Sequence, residues 1–159
     1  MNKVRMILNG LLFILAVTAL AACASSSTPS TDVPILQKLS NIEGEFIWNE
    51  RLKRYVYSEM ELIENALAPI ARNELIAILV NCIDNPSSSN STLNGKHTPL
   101  GVVCYQALSQ TAYYEATDST GDIKSRWSGH VLPTANANEL REAKRAWLEV
   151  INSNSYILY

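Results

Sequence analysis

The chain has 159 residues, 47% of them hydrophobic and 18% charged, with a formal net charge of -2. That length suits one domain with a sizeable core. The balance of charge excludes the basic stripe of a nucleic-acid binder and the polybasic cluster that would hold a domain flat on anionic lipid.

The first residues have the layout of a targeting segment. Lys3 and Arg5 supply positive charge, and an apolar run from Ile7 to Leu20 follows, broken only by Asn9, Gly10 and Thr18. A permanent bilayer-spanning helix needs about 20 apolar residues, so this shorter run predicts a cleavable signal segment. It leads into Leu20-Ala21-Ala22-Cys23. The pattern Leu-small-small-Cys resembles the lipobox of bacterial lipoproteins, and the resemblance covers about the first 25 residues. It implies removal of residues 1–22 and a diacylglyceryl group on the Cys23 thiol. It also implies a further fatty acyl chain, of the palmitate class, on the new α-amine. One chain gives marginal membrane binding and two or more give stable anchoring, at about 0.8 kcal/mol per buried methylene. Ala24 in place of Asp resembles the outer-membrane sorting pattern, which would face the domain to the periplasm in a Gram-negative cell. The alternative is an ordinary signal peptide cut nearby, with Cys23 incidental.

Residues 23–34 read as the acylated cysteine and a flexible Ser/Thr/Pro tether, and 35–159 as the domain. All 15 acidic residues and 11 of the 13 basic ones follow residue 23, leaving that part a formal charge of -4. Ile35–Leu39 predicts a short helical turn. Residues 44–57 fit two readings: Phe46, Trp48, Tyr55 and Tyr57 alternate as in a hairpin turning near Asn49-Glu50, while Trp48, Leu52, Tyr55 and Val56 form a helical stripe. Period alone does not separate short mixed runs, and the helical character of the rest favours helix.

Ser58-Glu59-Met60-Glu61 reads as a capping box ahead of Leu62, Ile63, Ala66 and Leu67, with Pro69 as a breaker. Asn73 is a candidate cap and Glu74 suits the positive first turn of the next helix. Leu75, Ile76, Leu79, Val80 and Ile83 surround that helix, which places it centrally. Residues 84–97 read as a mobile polar loop. Thr98-Pro99 then opens a helix, with Thr98 as cap and a stripe of Leu100, Val103, Cys104, Ala107, Leu108 and Thr111. Residues 116–135 read as a second loop, and a last helix spans about Ala137–Asn152 with Leu140, Ala143, Trp147, Val150 and Ile151 inward. The expected fold is all-α: an irregular bundle of four or five helices with one disulfide.

That disulfide is Cys82–Cys104, the pair left once Cys23 carries lipid in an oxidising compartment. Free buried thiols are one rival. A metal site from Cys82, His97, Cys104 and His130 is another, but its spacing matches no common zinc pattern. No metal and no cofactor is indicated.

Catalytic signatures are missing from the sequence. Ser128-Gly129-His130 lacks nucleophile-elbow spacing, and neither a Walker phosphate loop nor H-E-x-x-H occurs. Glu59, Glu61 and Glu64 form the densest carboxylate cluster, but at a helix start they suit cap and dipole. His97 and His130 fall in expected loops. Seven tyrosines suit half-buried rims or an interface, and the apolar end Tyr156-Ile157-Leu158-Tyr159 should dock on its own domain or a partner. Trp127, His130, Tyr113 and Tyr114 are the candidate binding surface.

The reading is a non-catalytic, membrane-anchored envelope lipoprotein whose domain binds another protein, as an immunity protein or inhibitor or as an accessory subunit. The alternative is an enzyme acting on peptidoglycan or another envelope polymer, which needs Glu61 or Glu64 to face His97 or His130 across a pocket. A third reading, small-ligand binding, needs a cavity between the central and last helices.

Overall fold

Two apolar helices make the centre of the molecule. The computed structural model describes residues 32–114, 116–117, 123–125 and 131–159. Helices α1 (Asp32–Asn41), α2 (Met60–Leu67), α3 (Arg72–Cys82), α4 (Leu100–Thr111) and α5 (Ala137–Asn152) carry most of the core. On α3, Leu75, Ile76, Ile78, Leu79, Val80 and Cys82 are all buried, the pattern of a helix covered on nearly every side. Helix α4 packs against it. The residue after α3 lies tight against Gly101, where a Cβ would stand 2.0 Å from the Ile83 carbonyl oxygen. The Gly101 N–H donates to the Asn85 carbonyl at 3.0 Å. Cys82 and Cys104 form a disulfide across this contact, with Cα atoms 5.9 Å apart.

The fold is not all-α. Eight short strands form four two-stranded antiparallel pairs among the described residues, which makes it a mixed α/β fold. Strands β1 (Phe46–Asn49) and β2 (Arg54–Tyr57) form a hairpin, with Phe46 opposite Tyr57 and Trp48 opposite Tyr55. The alternating reading of 44–57 is therefore correct, and the helical one is not. Aromatic side chains meet across the strands, tilted or edge-on: ring centroids lie 4.8 Å apart for Phe46–Tyr57 and 5.3 Å for Trp48–Tyr55. Cross-strand pairs of this kind are what a stripe at helical spacing cannot provide.

Residues 84–97 are not a loop either. Strands β3 (Ser88–Leu93) and β4 (Lys96–Pro99) pair around Asn94-Gly95, whose φ values are 52° and 73°. Two consecutive left-handed residues of this composition define the tight turn that matches strand twist. Polar residues are buried here because they satisfy one another. Ser89 Oγ donates to the Thr98 carbonyl (2.8 Å), and Thr98 Oγ1 donates to the Ser91 carbonyl (3.2 Å). Ser91 Oγ donates to the Ile42 carbonyl at 3.0 Å, which leaves it to accept from the Tyr57 hydroxyl at 2.5 Å. Hidden hydroxyls with partners in place carry little penalty, so a Ser/Thr-rich stretch can be core.

Two expected caps change role. Ser58 accepts from the Glu45 N–H at 2.9 Å and ties the hairpin closed, while α2 has Glu59 at its N-cap with no side-chain bond. Thr98 belongs to β4, and Pro99 stands at the N-cap of α4. Asn73 lies inside α3, which starts after Ala71. Helix α1 begins at Asp32 and takes in residues assigned to the tether; Pro34 sits in its first turn, where a missing N–H is harmless.

Helix α5 spans the expected residues. Asn136 Oδ1 accepts from the N–H groups of Asn138 (2.8 Å) and Glu139 (3.2 Å), and the Glu139 carboxylate accepts from the Asn136 N–H (2.7 Å). Lys144 pins α5 to the end of α3, donating to the Asn81 carbonyl (2.9 Å) and Asp84 (2.8 Å). Between α4 and α5 lie β5 (Ala112–Tyr114), β6 (Ala116–Thr117) and β7 (Ile123–Ser125), so the expected second loop contains a β6–β7 pair. The chain ends in β8 (Tyr156–Leu158), which pairs with β5. The apolar end thus docks on its own domain.

Candidate functional site

A deep concavity follows from the β1–β2 hairpin. It is a groove of about 510 Å³ whose floor and one wall are hairpin residues, including all of Arg54, Tyr55, Val56 and Tyr57. Tyr105, Gln106, Ser109 and Gln110, one face of α4, form the opposite wall, and Val131, Leu132 and Pro133 close it. Among the described residues, Lys53 and Arg54 line it and no carboxylate does.

The hairpin presents apolar surface in a fixed shape. Ile47 is 47% exposed, Trp48 44% and Leu52 44%. The Trp48 indole N–H donates to Glu50 at 2.8 Å, and Lys53 donates to the same carboxylate at 2.7 Å. The bonds from Lys53 and then Trp48 hold the Glu50 carboxyl below its ordinary range. The Leu52 N–H donates to Asn49 Oδ1 (2.9 Å), and Lys53 takes φ 51° to complete the turn. An exposed tryptophan already held in one orientation loses little freedom when a partner covers it.

The expected site residues distribute as follows. Cys23, Trp127 and His130 lie outside the described residues. Cys82 and Cys104 are joined to each other, which removes both as thiolate ligands; among the described residues no three His, Cys, Asp or Glu side chains gather to hold a metal. Tyr114 packs edge-on against Trp147 (4.9 Å) and Tyr113 against Tyr159 (5.0 Å). Neither lines the groove, but Tyr159 joins Arg54, Ser109 and Gln110 around a shallower hollow beside it. His97 is exposed on β4 in a shallow depression with Glu43 and Glu45. Glu61 and Glu64 are exposed on α2 and do not line that depression, so neither faces His97 across a pocket. The groove residues Trp48 and Tyr55 were legible as an alternating aromatic pattern; the helix wall carried no signal of its own.

Two tyrosines beside the groove give a pH prediction. Burial pushes the Tyr105 phenol far above its ordinary value, with Tyr114 adding to it, and burial followed by the Glu59 charge raises Tyr57. The folded state therefore keeps both protonated, while the unfolded chain ionises them near pH ~10. Their stabilisation is complete below that pH and declines as pH rises toward the folded values. Denaturant midpoints should fall between about pH 9 and 11, and the Tyr57→Phe/Tyr105→Phe variant should flatten that slope. An unchanged slope in the variant would assign the alkaline loss to other groups.

The chain matches no protein-family model, no curated protein and no solved structure. Among the described residues, no helix is long and apolar enough to cross a membrane.

Proposed function

We propose that this is a lipid-anchored envelope protein whose domain binds another protein through the β1–β2 hairpin and its groove. The observation that carries this reading is the exposed, pre-set aromatic surface: Trp48 edge-on against Tyr55, bonded to Glu50, at the mouth of a groove. Aromatic anchors of this type dominate binding energy at protein interfaces. The buried disulfide supports the location, since such bonds persist in oxidising compartments. The lipobox-like residues up to Cys23 support the anchor.

Two measurements test it. Mass spectrometry of the native product should find a chain beginning at an acylated Cys23. A photo-reactive residue at position 47 should cross-link one protein in intact cells, and Trp48→Ala should weaken that complex by roughly 30-fold, a loss of about 2 kcal/mol. An unacylated product would remove the anchor. Cross-linking to no protein, or an affinity unmoved by Trp48→Ala, would remove the binding surface.

A further inference from the structure

The outer edge of β2 runs along the groove. On the far side of β1, Glu45 bridges Thr92 and the Gly44 carbonyl accepts from the Thr92 N–H at 2.8 Å, so β3 covers the start of that flank. Among the described residues strand β2 pairs only with β1. The bond from the Ser58 N–H to the Glu45 carbonyl (2.9 Å) marks that pair as hydrogen-bonded. Alternation along an antiparallel ladder then makes Ile47/Val56 and Asn49/Arg54 bonded pairs. Tyr55 and Tyr57 are left with their main-chain N–H and C=O groups turned away from β1. Among the described residues no other backbone group bonds to them. An open strand edge beside a helix wall is a template for a further strand.

Charge narrows the occupant. The part of the chain after Cys23 is acidic, yet among the described residues the groove holds Lys53 and Arg54 and no Asp or Glu. Lys53 is paired with Glu50. Arg54 is exposed, has no ion-pair partner among the described residues, and sits where the groove meets the hollow beside it. An acidic segment is repelled by the rest of the domain and attracted here. Self-association through this edge would place the same cation-bearing patch against itself, because a two-fold contact uses one patch twice.

We propose that the groove takes an extended peptide segment bearing a carboxylate, which adds as a third strand to the outer edge of β2 and sets its carboxylate on Arg54. This rests on the protein-binding reading and names the partner's local form. Backbone bonds to Tyr55 and Tyr57 supply affinity. Alternate side chains of the segment turn toward the aromatic face of the hairpin. The four-residue length of β2 admits about 13 Å of partner strand.

The test uses the full chain in detergent and a displayed library of random octapeptides. Selected peptides should alternate apolar residues and carry Asp or Glu, and on binding they should shift the Tyr55 and Tyr57 amide resonances. N-methylation scanned along a selected peptide should abolish binding at every second residue and be tolerated between. Arg54→Ala should lower affinity about tenfold, and Arg54→Glu should reverse the preference toward basic peptides. Peptides that bind the groove yet tolerate N-methylation throughout would overturn strand addition while leaving protein binding standing. Selection of basic or uncharged peptides would overturn the carboxylate. Failure to select any peptide, or a dimer in sedimentation that Arg54→Glu disrupts, would overturn the proposal; the cross-link from position 47 then decides separately whether a protein partner exists.

Discussion

Replacing Cys82 and Cys104 together with alanine is expected to lower the stability of the domain by about 3 kcal/mol, the loop-closure entropy of a segment this long. The bridge closes a separation of 22 residues, and within that span lies the β3–β4 hairpin. Both cysteines are buried, at 2% and 0% exposure, so alanine also loses some packing. The cross-link acts mainly on the unfolded chain. The urea unfolding slope should therefore rise in the variant as its denatured state expands, while the midpoint falls. A single replacement should do worse than the pair, because it leaves a lone thiol free to make wrong bridges. A double variant that loses under about 1 kcal/mol would show that the α3–α4 contact holds without the bond.

The contact it reinforces is already close. Gly101 lets the start of α4 lie against the Ile83 carbonyl, and two apolar helices pack together there. This part of the fold was readable in the residues: the run Leu75 to Ile83 has apolar side chains on every face, and Cys82 and Cys104 were the pair left for a bridge. Helix α5 was readable to its ends for a different reason. Its stripe Leu140, Ala143, Trp147 and Val150 is cleanly amphipathic.

The strands were hidden by two physical effects. In β3 and β4 the inward residues are Ser89, Ser91 and Thr98, which hydropathy assigns to the surface. Ser89 and Thr98 find partners across the hairpin, and Ser91 finds its own on Ile42 and Tyr57, far away in sequence, so that no local pattern displays them. The signal that the loop reading of 84–97 passed over is Asn94-Gly95, a strong local hairpin turn. In β1 and β2 the aromatic residues fitted both periods, and only the pairing partner decides between them. The candidate site inherits both difficulties. Trp48 and Tyr55 were visible as aromatic residues, but the groove depends on α4 lying across from β2. Arg54 gains its place only from that arrangement.

Trp147 carries the second large expected effect. It is 4% exposed on α5, and its ring meets Tyr114 edge-on at 4.9 Å. Trp147→Ala should cost about 3–5 kcal/mol, since a buried indole leaves a void that neighbours fill only in part. Trp147→Phe should behave quite differently. The indole N–H is buried and finds no acceptor among the described residues. An unmet buried donor carries a penalty of roughly 1–3 kcal/mol, and phenylalanine removes that donor while keeping an aromatic ring for Tyr114. The two terms oppose, so Trp147→Phe should fall within about 1 kcal/mol of the native protein in urea melts. A double-mutant cycle with Tyr114→Leu should return a coupling of about 0.5–1.5 kcal/mol for the native pair. If phenylalanine proves as damaging as alanine, the N–H is bonded after all and the indole is held by polarity as well as shape.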